Sequence, residues 1–125
     1  MTKIDNHLKK MEHLEKSREK LDSYEKDYEL IIESYMLICA HYVNAALHKL
    51  GKLDESRDIK HNLIANFLVD QFEDAGKVRA AMQKLEDLRP SHGYGKGENG
   101  ETAKKAEEYY NEVRKICGKI LGFGD

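Results

Sequence analysis

Residues 30–50 form the most apolar stretch of the chain and carry only two charged side chains, Glu33 and Lys49. No glycine or proline occurs from Met1 to Leu50. A helix of this length with two charges is apolar around most of its circumference, so it must lie at the centre of the fold. Because polar residues interrupt the stretch, it falls short of the ~18 consecutive apolar residues that mark a membrane-spanning helix. We therefore expect a central core helix and no membrane association.

Apolar residues also recur at intervals of three and four along the rest of the chain, which is the spacing of one helix face. These stripes run from Ile4 to Leu14, from Leu63 to Phe72, from Val78 to Leu88 and from Ala106 to Ile120. No segment shows the alternation of a half-buried strand. The pattern predicts an all-α fold in a single domain, 1–125, with helices near 3–21, 25–50, 58–75, 77–89 and 101–121.

A glycine and a proline predict where two of the helices end. Gly76 is expected to follow the third helix as its C′ residue, where glycine is favoured. The fourth helix is expected to end at Arg89, because Pro90 disfavours helical geometry in the residue before it.

The charge balance excludes one class of function. The 125 residues include 21 basic and 23 acidic side chains, which gives a formal net charge of -2. A protein that binds nucleic acid through bulk positive charge carries a large basic excess, so only a local basic patch could act in that way here.

The two cysteines, Cys39 and Cys117, lie far apart and show no paired spacing. Neither a zinc cluster nor a disulfide framework is implied, and a reducing, cytoplasmic environment fits best. Charged side chains are spread along residues 1–10, which lack the apolar segment of a secretory signal.

The six histidines do not show metal-ligand spacing. His41 and His48 lie two turns apart on the central helix, too distant to share an ion without a third element, and no H-E-x-x-H pair occurs. His7 and His13 lie among charged residues and are expected to be solvated. We expect neither a metal nor a cofactor.

A polar cluster at residues 89–94 has the chemistry to handle a phosphodiester. Arg89 could hold a phosphate through two hydrogen bonds and offset its charge. His92 could transfer protons near neutral pH, and Tyr94 could form hydrogen bonds or stack on a base. The alternative is an arginine favoured by the helix dipole and followed by an exposed loop.

Residues 95–100 match the pattern G-x-G-x-x-G, which cradles phosphates when it joins a strand to a helix. Here a predicted helix precedes the glycines, and Glu98 and Glu101 place negative charge where a phosphate would lie. We interpret this segment as a connection, with acidic residues that favour the start of the last helix.

The order of these features resembles the HEPN family, named for higher eukaryote and prokaryote nucleotide binding. Residues 35–47 (YMLICAHYVNAAL) are similar to the aromatic, alanine-rich long helix of that family, and residues 60–67 (KHNLIANF) resemble the entry to its next helix. The segment from residue 85 (LEDLR) into 101–110 (ETAKKAEEYY) looks like its motif and final helix. The likeness covers about residues 12 to 121.

This resemblance implies an antiparallel helical bundle that dimerises through its long helices. Many members are metal-independent ribonucleases, in which the two-fold axis brings two copies of an Arg-to-His motif into one cleft. Other members are partners of small nucleotidyltransferases in toxin–antitoxin pairs. The apolar surface of the 25–50 helix independently favours a homodimer over the alternative that this helix is core alone.

The motif itself departs from the family pattern. Counting from Arg89, Tyr94 stands where the family places its catalytic histidine, Pro90 occupies a position that is usually polar, and His92 comes too early. Loss of a proton shuttle typically costs ~10²–10⁴ in rate.

We therefore expect a HEPN-like dimer that associates with a nucleotide or RNA, with a small nucleotidyltransferase as its protein partner and a degenerate motif. The alternative is a metal-independent ribonuclease that uses Arg89 with His92 and Tyr94 across a dimer cleft. A structural helical protein that resembles the family by accident is the third interpretation.

Overall fold

The computed structural model describes residues 3–19, 28–54, 56–88 and 99–123, and these contain helices but no strand. The all-α prediction is confirmed. The helices are α1 (Lys3–Glu19), α2 (Tyr28–Lys49), α3 (Ile64–Phe67), α4 (Ala75–Asp87) and α5 (Asn99–Leu121), with a 3₁₀ turn at His61–Leu63 before α3. The helices α1, α2, α4 and α5 match four of the five predicted helices.

Helix α2 lies at the centre, in contact with α1, α4 and α5. Helix α1 runs antiparallel to it, because Arg18 lies over the ring of Tyr35 whereas His7 meets His41. Helix α5 runs parallel to α2, because Tyr35 bonds to Glu107 whereas Tyr42, farther along α2, contacts Phe123 just beyond the end of α5. These directions fit an up-down helical bundle.

The chain itself covers most of α2. By length and composition Leu30–Lys49 could cross a membrane, yet 72% of that window is buried inside the protein, as in a core helix. The apolar exceptions among its described residues are Leu30 and Leu37, which are 58% and 38% exposed and lie on one face, seven positions apart. The surplus apolar surface that favoured a dimer is therefore narrow, and the dimer stays a prediction.

Glycines end the two longest helices. Gly51 and Gly122 have φ values of 70° and 86°. After α2, the Lys52 N–H donates to the Leu47 carbonyl, and after α5 the Phe123 N–H donates to the Gly118 carbonyl. Both are Schellman ends, in which the left-handed residue is best supplied by glycine. The turn at Gly51 directs the following residues back along the end of α2.

The predicted helix 58–75 is wrong. Only the 3₁₀ turn and α3 are helical within this range, and Leu68 is already extended. The side chain of Gln71 ends α3, because its amide donates to the Phe67 carbonyl at 2.7 Å and its oxygen accepts from the Val69 N–H at 2.7 Å. The apolar stripe from Leu63 to Phe72 therefore lies on a segment that is not one continuous helix.

The predicted role of Gly76 is also wrong. Gly76 lies inside α4, which begins at Ala75, and Gly76 is not among the described glycines with positive φ. The left-handed residue is instead Asp74, at φ 68°. Aspartate adopts this region more readily than most residues, so the chain reverses there without glycine.

Asn44 fixes the connection between α2 and the 3₁₀ turn. Its Oδ1 accepts from the Ile59 N–H at 2.8 Å, and its Nδ2 donates to the carbonyls of Ile59 at 3.0 Å and Ala40 at 2.9 Å. The buried side-chain amide of Asn44 therefore holds Ile59 against α2. If Ile59 moved away, its N–H and carbonyl groups would lose these hydrogen bonds.

Replacing Asn44 should therefore destabilise the fold. We expect Asn44→Ala to lower the free energy of unfolding by about 1–3 kcal/mol, because both polar backbone groups of Ile59 lose the bonds they make to that side chain. Urea denaturation measures this difference. The control is Asn62→Ala, at an exposed position of the same connection, and an equal loss in both variants would contradict this role for Asn44.

Candidate functional site

Four ionisable side chains from three segments meet beside the end of α2. We call His7 of α1, His41 and His48 of α2, and Asp58 of the following connection the histidine–aspartate cluster. His7 and His48 are buried, at 5% and 6% exposure. The carboxylate of Asp58 is 36% exposed, so it closes the cluster from the solvent side.

Two imidazoles contact the same carboxylate oxygen. The Nε2 atom of His7 lies 2.7 Å from Oδ1 of Asp58, and the Nε2 atom of His48 lies 2.9 Å from that same oxygen. The His7 and His48 rings are stacked, with centroids 5.6 Å apart. The ligand atoms of these three residues all lie within 4.8 Å of one another.

The other nitrogen of each ring is also engaged. Nδ1 of His48 lies 3.1 Å from the Leu53 carbonyl, and Nδ1 of His7 lies 2.8 Å from Nδ1 of His41. Burial, assisted by the electrostatic effects of His7 and Lys10, lowers the pKa of His41 to about 4. His41 is therefore neutral at physiological pH and one of its ring nitrogens can accept a hydrogen bond.

The structure differs from the sequence-based expectation in how three of these histidines lie. His7 was expected to be solvated, yet it is buried. His41 and His48 were set aside for lack of a third element, and the structure supplies His7 and Asp58 as that element. His13 is exposed, as predicted.

Two sequence signals could have indicated the cluster. His41, Asn44 and His48 are spaced by three and four residues, so they form one polar face on an otherwise apolar helix. His7 precedes Met11 by four residues and so shares the buried face of α1. Polar residues on a buried face need partners.

Pockets adjoin the cluster on the α1 side. One, of about 270 Å³, is lined by Asn6, His7, Lys9, Lys10 and Asp58. A second, of about 390 Å³, is lined by Lys9, Lys10, His13, Leu14, Leu37 and His41. The two lysines contribute positive charge to both pockets.

A second polar group lies farther along α1, around Glu15. The hydroxyls of Tyr110 and Tyr42 both donate to Oε2 of Glu15, the latter at 3.4 Å, and Nε of Arg114 lies 3.9 Å from the same oxygen. These residues adjoin a pocket of about 340 Å³. We call Glu15, Tyr42, Tyr110 and Arg114 the tyrosine–glutamate group.

The ring of Tyr35 adjoins this group. The Tyr35 ring stacks on that of Tyr110, with centroids 4.6 Å apart. The guanidinium of Arg18 also lies over the Tyr35 ring, 5.1 Å from its centroid. Arginines and stacked aromatic rings are groups that also contact nucleotides. Here Tyr35 donates to Glu107, and Tyr110 and Arg114 contact Glu15 of the same chain.

The predicted motif residues Arg89, His92 and Tyr94 lie outside the described residues, as do 95–98 of the glycine segment. Their neighbours along the chain are described. Helix α4 ends at Asp87, and α5 begins at Asn99.

Arg57 is exposed, while His61 lies 3.5 Å from the carboxylate of Glu86 on α4.

The cysteines do not add to either site. Cys39 and Cys117 are free and buried. Burial raises the pKa of the Cys117 thiol to about 12 and that of Cys39 well above its ordinary value. Both therefore remain protonated and behave as core residues.

The tyrosine–glutamate group should make the protein sensitive to alkaline pH. Burial and the charge of Glu15 raise the pKa of Tyr42 to about 12 and raise that of Tyr110 further. Since an unfolded tyrosine titrates near ~10, this stabilisation is complete below pH ~10 and is lost as the pH rises through the folded pKa. Ultraviolet titration should show at least two tyrosines that ionise late.

Glu15→Gln should lower the pKa values of Tyr42 and Tyr110, because the negative charge is removed. Both should stay above the ordinary pKa of tyrosine, because the two side chains remain buried. The matched control is Glu12→Gln, an exposed glutamate on the same helix that pairs with Lys16. Simultaneous ionisation of all tyrosines near their ordinary pKa in the folded protein would contradict the arrangement.

The chain matches no protein-family model, no curated protein and no solved structure. The resemblance to the HEPN family therefore stays a prediction that rests on the residues quoted for it.

Proposed function

We propose that this chain is a HEPN-like helical protein that associates with RNA or a nucleotide, with a degenerate ribonuclease motif. The observation that carries the proposal is the place of residues 89–98 in the chain. They join the end of α4 to the start of α5, and these two helices pack against each other. The all-α fold agrees with the bundle that the resemblance implies.

The chemistry of the motif favours binding over cleavage. Arg89 carries a permanent charge that can hold a phosphate through two hydrogen bonds. Tyr94 offers a ring for stacking and a hydroxyl for hydrogen bonding, but its unperturbed pKa near ~10 makes it a poor proton shuttle at neutral pH. His92 is the residue through which cleavage would have to proceed.

Binding of a fluorescent single-stranded RNA, followed by anisotropy at fixed salt, tests the proposal. Loss of a charge-assisted hydrogen bond costs about 1.5–3 kcal/mol, so we expect Arg89→Ala to weaken binding by roughly 10- to 100-fold. The matched control is Arg79→Ala, at an exposed position of α4, which should bind nearly as well as the wild type. Equal affinities of the Arg89 and Arg79 variants would overturn the assignment.

The same RNA, incubated in EDTA, distinguishes a binding protein from a ribonuclease. The degenerate motif predicts little or no cleavage. Cleavage that disappears in the Arg89→Ala, His92→Ala double variant would instead establish the ribonuclease. Cleavage that persists in that variant would show that the activity comes from elsewhere.

The proposal includes a homodimer through α2 and a small nucleotidyltransferase as protein partner, in a toxin–antitoxin-type pair. The exposed face of α2, which carries Leu30 and Leu37, is the surface that such a dimer would use. Isolation from the native host with neither a protein partner nor a nucleotide would count against this part.

Sedimentation velocity at micromolar concentration tests the dimer. We expect a dimer for the wild type and a monomer for the Leu30→Glu, Leu37→Glu double variant, because each copy would bury two charges in the interface. The control is Leu63→Glu, which alters a leucine of similar exposure, 49%, outside α2. A monomeric wild type would remove the dimer and, with it, any active site composed of two copies.

A further inference from the structure

The hydrogen bonds of His48 leave one pair of atoms to be explained. A carbonyl oxygen can only accept, so Nδ1 of His48 carries the proton that it donates to Leu53. In a neutral imidazole the Nε2 atom then presents a lone pair. That lone pair faces Oδ1 of Asp58 at 2.9 Å, and an ionised carboxylate is also an acceptor. Two acceptors at this distance require a proton or a metal cation between them.

His7 presents the same arrangement to the same oxygen. One proton is shared between Nδ1 of His7 and Nδ1 of His41, at 2.8 Å. When His7 donates it, Nε2 of His7 directs a lone pair at Oδ1 of Asp58, at 2.7 Å. Leu53 and His41 thus have the same role. Each accepts a hydrogen bond from the Nδ1 atom of one histidine and so orients the Nε2 atom of that ring toward Asp58. Metal-binding histidines are oriented in this way.

We propose that His7, His48 and Asp58 bind one divalent transition-metal ion, for which Zn²⁺ is the best fit. Two imidazole nitrogens and one carboxylate oxygen are ligands that zinc accepts, whereas Ca²⁺ and Mg²⁺ prefer oxygen ligands. A water molecule completes the tetrahedron on the side of the pocket lined by Asn6, Lys9 and Lys10. The site is independent of the proposed association with RNA.

The geometry requires movements of Asp58 and of the two imidazoles. Bonds of 2.0–2.1 Å in a tetrahedral site set neighbouring ligand atoms about 3.3 Å apart, which exceeds the observed 2.7 and 2.9 Å. Asp58 can withdraw by roughly half an ångström to reach the tetrahedral spacing, because its side chain is 36% exposed. The three ligand atoms span up to 4.8 Å, so the imidazole nitrogens of His7 and His48 must also approach each other, by up to about 1.5 Å, to reach the same spacing. Their side chains are 6% and 0% exposed, so this approach is a rotation within the core.

Metal binding would also join segments that are distant in sequence. His7 lies on α1, His48 on α2 and Asp58 on the connection that follows. An ion that binds the folded chain alone stabilises it in proportion to the logarithm of its concentration over the dissociation constant. Bound metal should therefore raise the melting temperature.

Zn²⁺ titration against a chromophoric chelator tests the site, with protein that carries no polyhistidine tag and has been stripped with EDTA. We expect one equivalent to bind with a rise in melting temperature, and Co²⁺ to give the intense visible absorption of a four-coordinate site. Asp58→Asn should weaken binding by more than ~10-fold, and His41→Ala, which removes an orienting partner, by ~10–100-fold. Circular dichroism of the metal-free variants checks that they fold.

The matched control is His13→Ala, which removes an exposed histidine of α1 outside the cluster and should leave affinity unchanged. A wild type that neither binds one equivalent nor gains stability would overturn the proposal, and protons would then bridge the cluster. Equal affinities for wild type and Asp58→Asn would also overturn it, since the ion would then be held elsewhere. These results are independent of whether the chain binds RNA.

Discussion

The need to cover α2 governs the rest of this structure. Its side chains are apolar on nearly every side, and exposing them to water would cost about 25 cal/mol for each Å². Helices α1, α4 and α5 pack against it, and the large apolar side chains that stay exposed among the described residues of α2 form a narrow strip at Leu30 and Leu37. The periodic stripes on α1, α4 and α5 are the complementary surfaces, so the helical periodicity of the sequence and the architecture of the bundle have one cause.

The few polar residues on α2 impose a second constraint. Asn44 and His48 are buried and must form hydrogen bonds, because an unsatisfied buried polar group costs about 1–3 kcal/mol. They find partners in the connection that Gly51 directs back along the helix. Asn44 pairs with Ile59, and His48 pairs with Leu53 and Asp58. The path of this connection as far as Ile59 therefore follows from the polar atoms of α2.

Helix α1 links the two polar sites. Its first half contributes His7 to the histidine–aspartate cluster, and its second half contributes Glu15 to the tyrosine–glutamate group. In each site one carboxylate oxygen receives contacts from at least two side chains. The groups around Glu15 are tyrosine hydroxyls, which donate and complete the arrangement, whereas those around Asp58 are imidazoles that can present lone pairs. This difference in chemistry is why only the cluster favours a metal ion.

The sequence by itself determined the fold class, the central helix and four helices of the bundle, because apolar periodicity and the near absence of charge in residues 30–50 are local properties of the chain. It also showed no paired cysteine spacing, and Cys39 and Cys117 are free in the structure. Only the tertiary structure decided that His7 is buried and that Asp58 meets both His7 and His48. Their contacts span 51 and 10 positions, and no local pattern records which polar atoms will converge when separate segments pack.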